Sequence, residues 1–297
     1  MHVLVSGSSG LLGSAIVELL TRDGHDVVRL VRRRARGPGE IGWEPERGTI
    51  DEASLGGLDA VVHLAGESIA DSRWTAEKKR RIRESRTEGT RLLAQSLARA
   101  DPPPKVLACA SAIGYYGDRG DAALTEESGP GEGFLADVCR KWEAATGPAA
   151  AAGIRVVNMR LGLVLAREGG PLAAIVGLFR WGLGGKLGDG RQYMSWITID
   201  DAVRAIRLAL TDDRLSGPVN LTAPQPVTNV EFTAALGRVL HRPTLFRAPA
   251  FGLRLGMGEM AGELLLFSAR VLPKRLQETG FEFQDPQLEP ALQRLLN

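Results

Sequence analysis

The sequence is poor in the residues that build disulfides and metal sites. It has two cysteines, Cys109 and Cys139, and four histidines among 297 residues. These two cysteines do not make a disulfide framework, and the histidines show no spacing with cysteines or carboxylates that would hold a metal ion. We therefore expect no metal centre, and a reduced core thiol at Cys109, which lies in an apolar run.

The sequence also lacks a dominant charge and long apolar runs. Lysine and arginine number 37 against 35 aspartates and glutamates, and a net charge of +2 gives no overall attraction to nucleic acid or to a membrane. No apolar run reaches the roughly 20 residues of a membrane-spanning helix, and no leader pattern precedes the first strand pattern. We expect a cytoplasmic protein that acts on a small-molecule substrate, without nucleic acid or membrane. A homodimer is compatible with the sequence.

Apolar runs alternate with helical periodicity, which is typical of βαβ units around a parallel sheet. The runs are rich in valine, leucine and isoleucine without polar alternation, which indicates strands covered on both faces. Strands are predicted at His2–Ser6, Asp26–Val31, Ala60–Leu64, Lys105–Ala110, Arg155–Arg160 and Val219–Leu221. Helices are predicted between them at Gly13–Asp23, Ala76–Ala100, Gly133–Ala152 and Asp200–Thr211. The fold class is therefore α/β, with a Rossmann-type doubly wound parallel sheet.

After Leu221 the strand pattern gives way to helical segments separated by proline and glycine. These helices are predicted at Asn229–Leu240, Ala250–Gly256 and Glu259–Val271. With the glycine-rich segment from Gly169 to Gly190, they predict a smaller, mainly helical C-terminal lobe over the cleft. We expect residues 1–168 with 196–222 to form the Rossmann domain, and residues 169–195 with 223–297 to form the substrate-covering lobe.

Three glycines, Gly7, Gly10 and Gly13, lie between the first predicted strand and the first helix. In a dinucleotide-binding turn the first glycine permits the tight turn, the second lets backbone approach the pyrophosphate, and the third permits close packing of helix on strand. The helix N-terminus adds free N–H groups and a partial positive charge. The spacing is one residue wider than the common fingerprint, but its place between strand and helix predicts a dinucleotide site. The predicted contacts are Gly7, Ser9, Gly10, Leu11, Leu12 and Gly13.

The second predicted strand runs into three consecutive arginines, Arg32, Arg33 and Arg34, with no acidic residue before Glu40. In NAD-binding proteins an acidic residue at this point accepts the ribose hydroxyls, whereas arginine accommodates the 2′-phosphate of NADP. A carboxylate would repel that phosphate, and a guanidinium can bind it through two N–H groups. The sequence therefore favours NADP(H), with Arg32 as the leading contact. The alternative is that these arginines form only a solvated loop.

Several stretches resemble the short-chain dehydrogenase/reductase superfamily, in its extended or atypical branch. They are GSSGLLG from Gly7, DAVVHLAGE from Asp59, SAIGYYGD from Ser111, MRLGLVL from Met159 and WITIDDAV from Trp196. A narrower likeness, to the NAD(P)-dependent epimerase/dehydratase-like branch of "epimerase family" proteins, is carried by HLAGESIADSRW, GLGGKLGDGRQY and the tail LPKRLQETGFEF. The resemblance spans nearly the whole chain.

This resemblance implies further contacts to the cofactor. Backbone at Leu64, Ala65 and Gly66 would lie beside the adenosine and the pyrophosphate. Arg86 matches a position where this branch has an arginine near the cofactor, in place of the asparagine of typical extended members. The strand exit that ends at Val164 would pass the nicotinamide.

Typical members catalyse with a Tyr-x-x-x-Lys pair on one helix, and this sequence lacks it. Four residues make about one helical turn, so the lysine lies beside the tyrosine and favours its phenolate. With Glu143 aligned to the family's usual glutamate, Leu135 takes the place of the tyrosine and Cys139 that of the lysine. Neither side chain can do this chemistry. Lys141 lies about 200° around the helix from Cys139, so we expect it to face elsewhere.

An acid–base group could instead come from the end of the fourth predicted strand. Ser111, Tyr115 and Tyr116 follow that strand near the expected cleft and are the catalytic candidates. The register leaves open whether Ser111 or Ala112 takes the place of the family's serine. It also leaves open whether a tyrosine here transfers a proton or only shapes the pocket.

Two functions follow from these residues. One is an NADP(H)-dependent oxidoreductase or sugar-nucleotide epimerase-like protein acting on a small molecule, which the segment Gly182–Gly190 and the aromatic residues Tyr193 and Trp196 favour as parts of a formed pocket. The other is a catalytically inactive NADP(H)-binding sensor or interaction protein. Leu135 and Cys139 favour this second function.

Overall fold

The elements of the fold are taken from a computed structural model, which describes residues 1–297. Its strands are β1 (His2–Ser6), β2 (Asp26–Val31), β3 (Glu40–Glu44), β4 (Thr49–Ile50), β5 (Ala60–His63), β6 (Val106–Ala112), β7 (Ala123–Leu124), β8 (Arg155–Leu161), β9 (Leu163–Leu165), β10 (Gly185–Leu187), β11 (Tyr193–Met194), β12 (Trp196–Thr198), β13 (Gly217–Leu221), β14 (Val227–Thr228), β15 (Phe246–Ala248) and β16 (Arg270–Val271). Its α-helices are α1 (Leu11–Arg22), α2 (Ala76–Arg99), α3 (Phe134–Ala144), α4 (Gly147–Ala151), α5 (Gly170–Arg180), α6 (Ile199–Thr211), α7 (Asn229–Val239), α8 (Ala250–Met257), α9 (Glu259–Ala261), α10 (Lys274–Glu278) and α11 (Leu288–Leu296). Single turns of 3-10 helix cover Pro45–Arg47, Glu52–Ser54 and Ile113–Tyr116, and a π-helical turn covers Gly262–Leu266.

The main sheet has eight strands in the order β13-β8-β6-β5-β1-β2-β3-β4. Neighbouring strands are parallel except β3 and β4, which are antiparallel. The order of connection reverses at β1, which has β2 on one side and β5 on the other. Ligands of such sheets bind at the carboxyl ends of the strands on either side of this reversal. The Rossmann-type doubly wound fold that the sequence predicted is confirmed.

Side chains of β1 alternate between two hydrophobic clusters on opposite faces of the sheet. Val3 and Val5 pack with Ile16 of α1 in one cluster, while Leu4 packs with Leu93 of α2 in the other. Successive strand residues point to opposite faces. Because both faces are covered by helices, the strand is apolar along its whole length and shows no polar alternation.

A third hydrophobic cluster lies outside the main sheet. It joins Leu172 of α5, Trp196 of β12, Phe232 of α7 and Leu292 of α11. These helices come from the segments in which the sequence places the smaller lobe. The exact division of the chain into two domains stays a prediction.

Two predicted helices differ from the structure. Gly133–Ala152 is divided into α3 and α4, and the break lies just before Pro148. Proline has no N–H group for the helical ladder, so it is tolerated in the first turn of α4 but not in the interior of one continuous helix. Glu259–Val271 is helical only in its first part: Arg270–Val271 form β16, which pairs in parallel with β7.

Candidate functional site

The turn between β1 and α1 brings the backbone of the first and third glycines into close contact. Gly7 has a φ of 65°, which glycine adopts without strain. A Cβ atom there would lie 2.8 Å from the carbonyl carbon of Leu64. A Cβ atom on Gly13 would lie 2.0 Å from the carbonyl oxygen of Gly7. Both positions therefore require glycine for the turn itself and for the packing of α1 against it.

Gly10 needs no special backbone conformation, because its φ is −80°. A Cβ atom there would meet only the carbonyl oxygen of Gly7, at 3.3 Å, and would otherwise project into an open cleft of about 1670 Å³. α1 begins beside this cleft without a side-chain cap and without an acidic residue in its first turn. The amides of Leu11, Leu12 and Gly13 have no acceptor inside the helix. A polyanion such as a pyrophosphate fits this helix end.

The far end of the same cleft carries the arginines that follow β2. Arg33 is held by Glu40, with Nη1 to Oε2 at 2.7 Å and Nη2 to Oε1 at 2.6 Å. The hydrogen bonds from Arg33 lower the pKa of Glu40 to about 2. Arg32 is exposed and lines the cleft, and no carboxylate pairs with it. Its guanidinium is therefore free to bind an anion, while that of Arg33 is already engaged.

A buried serine and histidine fix the backbone on the opposite wall of the cleft. Ser6 Oγ lies 2.6 Å from His63 Nδ1 and accepts hydrogen bonds from the amides of Leu64 and Ala65 at 3.0 and 3.2 Å. His63 Nε2 lies 3.0 Å from Thr90 Oγ1. Burial lowers the pKa of His63 to about 4. The imidazole is thus neutral at physiological pH, and its role is to hold the cleft wall.

Arg86 of α2 lies next to this wall, beside Gly66 and Glu67. Its guanidinium carbon would lie 3.4 Å from a Cβ atom on Gly66, and its Nη1 donates to the carbonyl oxygens of Glu67 and Ile82 at 3.0 and 3.1 Å. The guanidinium also lies 5.0 Å from the centre of the Trp142 ring. Burial lowers the pKa of Arg86. Arg86 is therefore a cation beside the cleft that backbone carbonyls and an aromatic ring hold without a carboxylate.

Leu135 and Cys139 are buried on the side of α3 that faces the strand ends. A Cβ atom on Gly114 would lie 3.2 Å from Leu135 Cβ and 3.8 Å from Cys139 Sγ. Burial raises the pKa of Cys139 to about 12, and the nearby Arg86 cation acts in the opposite direction. Cys139 is thus a neutral thiol with a cation close by. Lys141 is exposed and paired at the surface, as the helical geometry predicts.

Tyr116 does not present its hydroxyl to the cleft, and the prediction that it is a catalytic acid is wrong. Its side chain is fully buried. The hydroxyl donates to Asn220 Oδ1 at 2.7 Å and accepts from Arg160 Nη1 at 2.9 Å. Burial raises the pKa of Tyr116 to about 12. Tyr116 therefore belongs to the core beneath the site.

The hydroxyl of Ser111 is also engaged inside the protein, which argues against its predicted catalytic role. Ser111 is buried and donates to Glu143 Oε1 at 2.7 Å. Glu143 is held in turn by Arg160, with Nε to Oε1 and Nη2 to Oε2 both at 2.8 Å. Ala112, the alternative register, has no hydroxyl. Ser111 thus orients Glu143, and this buried network of Ser111, Glu143 and Arg160 is a feature that sequence reasoning missed.

Tyr115 is the remaining candidate. Its half-buried ring lies on the guanidinium of Arg160, which is 3.5 Å from the ring centre, and its hydroxyl has no hydrogen-bond partner in the chain. The neighbouring Gly114 and Gly117 line a second cavity of about 390 Å³, together with Leu135. Tyr115 itself lines neither this cavity nor the large cleft.

The second cavity is mainly acidic. Its charged lining residues are Asp118, Glu132, Glu259, Glu263 and Arg254. Glu259 is paired with Lys79 outside the cavity. The carboxylate of Glu263 accepts two backbone amides at the N-terminus of α3, each at 3.0 Å. Carboxylates thus outnumber cations around this cavity, in contrast to the arginine-lined end of the large cleft.

The predicted cofactor contacts divide into two groups. Those that line the large cleft are Gly7, Ser9, Gly10, Arg32, Leu64, Ala65 and Gly66. Those that border it without lining it are Leu11, Leu12, Gly13, Arg86 and Val164. A Cβ atom on Gly170 would lie 2.9 Å from Leu11 Cδ2 and 3.6 Å from the carbonyl oxygen of Val164, which places Val164 beside the start of α1.

Family models match most of the chain. The model described as "NAD dependent epimerase/dehydratase family" matches residues 3–221. A second model, described as a domain of unknown function (DUF1731), matches residues 248–295. The first match spans the whole main sheet, and the second begins within β15 and spans the C-terminal helices from α8 to α11.

Individual relatives are similar over the full length. An epimerase family protein of Mycobacterium leprae is 44% identical over 290 residues, which cover 98% of this chain and 94% of the relative. The crystal structure of the human epimerase family protein SDR39U1 with NADPH is 34% identical, with a TM-score of 0.92, and the alignment covers 100% of this chain and 99% of the human chain. A nucleoside-diphosphate sugar epimerase of Corynebacterium glutamicum is 38% identical, with a TM-score of 0.83, over 100% of this chain and 58% of that chain.

Proposed function

This chain belongs to the NAD-dependent epimerase/dehydratase family, and we propose that it binds NADPH and uses it to reduce the carbonyl group of a small molecule. The resemblance to the short-chain dehydrogenase/reductase superfamily, which the sequence motifs predicted, is confirmed by these relatives. The observations that carry the proposal are a large cleft shaped for a dinucleotide and a Tyr115 hydroxyl without a hydrogen-bond partner in the chain, between two glycines that line the smaller cavity.

Features at both ends of the large cleft support NADPH as the cofactor. The open space at Gly10 and the uncapped start of α1 suit the pyrophosphate. The unpaired guanidinium of Arg32 lies at the other end, where a 2′-phosphate would need a cation. The human relative is known in complex with NADPH. Bound NADPH would supply a hydride for the carbonyl carbon of the substrate.

Tyr115 would supply the proton that the carbonyl oxygen needs when the hydride arrives. A phenol carries an O–H group that can donate its proton to an oxygen that gains negative charge, and Cys139 stands where a lysine would favour the phenolate. The same phenol is a poor base, so it does not assist the oxidation with which an epimerisation begins. The protein is therefore proposed to work in the direction of reduction, and water returns a proton to Tyr115 afterwards.

Arg86 is proposed as the positioning cation of the site. The lysine of the typical Tyr-x-x-x-Lys pair would stand at Cys139, and the guanidinium of Arg86 is close enough to act on the pKa of that thiol. It also borders Gly66 on the cleft wall. Arg86 would thus place a positive charge near the cofactor from α2, where typical members place it from the helix that carries the tyrosine.

The acidic cavity beside Tyr115 supports a substrate without phosphate groups. A nucleoside diphosphate entering it would face Asp118, Glu132 and Glu263 with only Arg254 as a partner, and like charges repel each other strongly away from bulk water. A neutral or cationic carbonyl compound would not meet this repulsion.

NADPH oxidation against aldehydes, ketones and nucleotide sugars, with wild-type protein and Tyr115→Phe in parallel, tests the proposal. We expect turnover of a neutral or cationic carbonyl compound that falls by about 100-fold in Tyr115→Phe. Epimerisation of a nucleotide sugar, or reduction at an unchanged rate in Tyr115→Phe, would contradict it.

A second candidate is a cofactor-binding protein without turnover, such as a redox sensor. Leu135 and Cys139 favour it, because they occupy the places of the usual catalytic pair and cannot transfer protons there. The same experiment separates the two functions. NADPH binding without oxidation by any member of a broad carbonyl library would favour the sensor.

A further inference from the structure

Large apolar side chains are concentrated at the surface of one part of the smaller lobe. Six of the nine exposed large hydrophobic residues of the chain lie in two short segments, residues 181–183 and 245–255, with exposed fractions from 54% to 87%. They are Trp181, Leu183, Leu245, Phe246, Phe251 and Leu255, and we call them the apolar face. Single exposed apolar residues are ordinary, but a contiguous group of this kind usually marks an interaction surface.

The two segments that carry the apolar face are joined to each other. β10 pairs with β15, with Gly185 opposite Phe246. The Nε of Arg242 donates to the carbonyl oxygen of Arg180 at 2.9 Å. Phe251 and Leu255 lie four residues apart on α8, which has no buried residue and whose side chains at this spacing share one face. The apolar face is thus continuous from the end of α5 through β15 to α8.

The charged side chains carried by the two segments of the apolar face are all of one sign. Residues 169–188 and 239–258 contain no aspartate or glutamate. Their five lysines and arginines are Arg180, Lys186, Arg242, Arg247 and Arg254, and none of them forms an ion pair. Many arginines elsewhere on the surface pair with carboxylates, for example Arg80 with Glu77. The net charge of +2 for the whole chain therefore conceals a local excess of unpaired cations on these two segments, which Glu168, Asp189 and Glu259 flank in the sequence.

We propose that the apolar face binds the surface of an anionic phospholipid bilayer. Exposed tryptophan, phenylalanine and leucine side chains enter the boundary between headgroups and acyl chains, and neighbouring cations bind the anionic headgroups. A second copy of the chain is a poorer occupant, because a two-fold interface places each patch against its own copy and brings the unpaired cations together. No helix in the structure has the length and apolarity of a membrane span, and the proposed contact is confined to the bilayer surface.

Vesicle sedimentation tests this assignment. The full chain is mixed with vesicles of phosphatidylcholine alone, or of phosphatidylcholine with one third phosphatidylglycerol. We expect binding to the anionic vesicles at least tenfold tighter, with a blue shift of tryptophan emission. Trp181 is 83% exposed, whereas Trp43, Trp142 and Trp196 are buried and Trp74 is half-buried, so most of the shift should disappear in Trp181→Phe.

Two variants separate the apolar and the electrostatic parts of the contact. Phe251→Ser/Leu255→Ser should weaken anionic vesicle binding by at least tenfold, and Arg180→Gln/Arg242→Gln should weaken it about 25-fold, since each cation near such a surface contributes about fivefold. Arg140→Gln/Lys141→Gln on α3 also removes two surface cations, is the matched charge control and should bind like wild type. Unchanged NADPH affinity would show that the variants remain folded.

Three results would overturn the proposal. One is equal binding to neutral and anionic vesicles, and another is anionic binding that the Phe251→Ser/Leu255→Ser variant leaves unchanged. The third is a dimer in light scattering that dissociates in the same variant while wild type ignores both vesicle types. That third result would assign the apolar face to a second copy of this chain.

Discussion

The guanidinium of Arg160 lies 3.5 Å from the centre of the Tyr115 ring, and the same group donates to the hydroxyl of Tyr116. One arginine therefore contacts two adjacent tyrosines in different ways, one through its ring and the other through its hydroxyl. Glu143 binds this arginine through both carboxylate oxygens, and although burial alone would lower the pKa of Arg160, these bonds raise it above its usual value. The hydroxyl of Tyr116 is engaged in two hydrogen bonds, whereas the hydroxyl of Tyr115 has no partner in the chain.

The two tyrosines should respond differently to the loss of the hydroxyl. Tyr116→Phe removes a buried hydrogen bond to Asn220 and leaves Arg160 one acceptor short, which should lower the free energy of unfolding by about 1–3 kcal/mol. Tyr115→Phe breaks no hydrogen bond and should leave stability unchanged. Urea unfolding of the matched pair measures this difference, and a larger loss of stability in Tyr115→Phe would contradict the assignment.

Gly10 and Gly13 form a second matched pair. Gly10→Val should fold with only a small loss of stability, because its backbone is ordinary and its Cβ atom would meet only the Gly7 carbonyl oxygen, at 3.3 Å, but it should lose NADPH binding. Gly13→Ala should lose about 1–3 kcal/mol of stability, because its Cβ atom would lie 2.0 Å from the Gly7 carbonyl oxygen. Thermal unfolding with and without NADPH separates the two effects. A folded Gly10→Val variant with normal NADPH affinity would remove the loop from the cofactor site.

His63 should make stability depend on pH in a defined window. Its pKa falls from 6.5 to about 4 on folding because of burial, so the unfolded chain binds more protons between these values. The stabilisation is complete above pH 6.5 and is lost as the pH falls towards 4, by about 3 kcal/mol. Urea unfolding of wild type and His63→Gln at several pH values isolates the contribution of His63 to the pH dependence of stability. Equal pH slopes for the two proteins would show that His63 is not the cause.

Local patterns predicted the sheet and the glycine turn well, because each is encoded within a few consecutive residues. The bounds of β1 and β2 agree with the predicted ones at both ends. The hairpin of β3 and β4 and the helices α5, α10 and α11 were not predicted. α11, for example, is stabilised by packing against α7, with Leu292 and Phe232 in one cluster, and that partner lies far away in the sequence.

The catalytic candidates also depend on partners that lie far away in the sequence, which local patterns do not show. Ser111, Tyr115 and Tyr116 are equivalent in the sequence, since all three follow one strand. What separates them is Asn220, which lies 104 residues after Tyr116, and Glu143, which lies 32 residues after Ser111. No local signal shows which hydroxyl a distant residue will bind, so only the folded chain singles out Tyr115.

The central claim is that the large cleft binds NADPH through Arg32, and calorimetric titration tests it most directly. NADPH and NADH are titrated separately into wild type, Arg32→Ala and, as a matched control, Arg34→Ala, whose arginine does not line the cleft. We predict that wild type and Arg34→Ala bind NADPH at least about tenfold more tightly than NADH, a difference of roughly 1.4 kcal/mol, and that Arg32→Ala loses this preference. Equal affinities of wild type for the two cofactors, or a preference that survives in Arg32→Ala, would contradict the account.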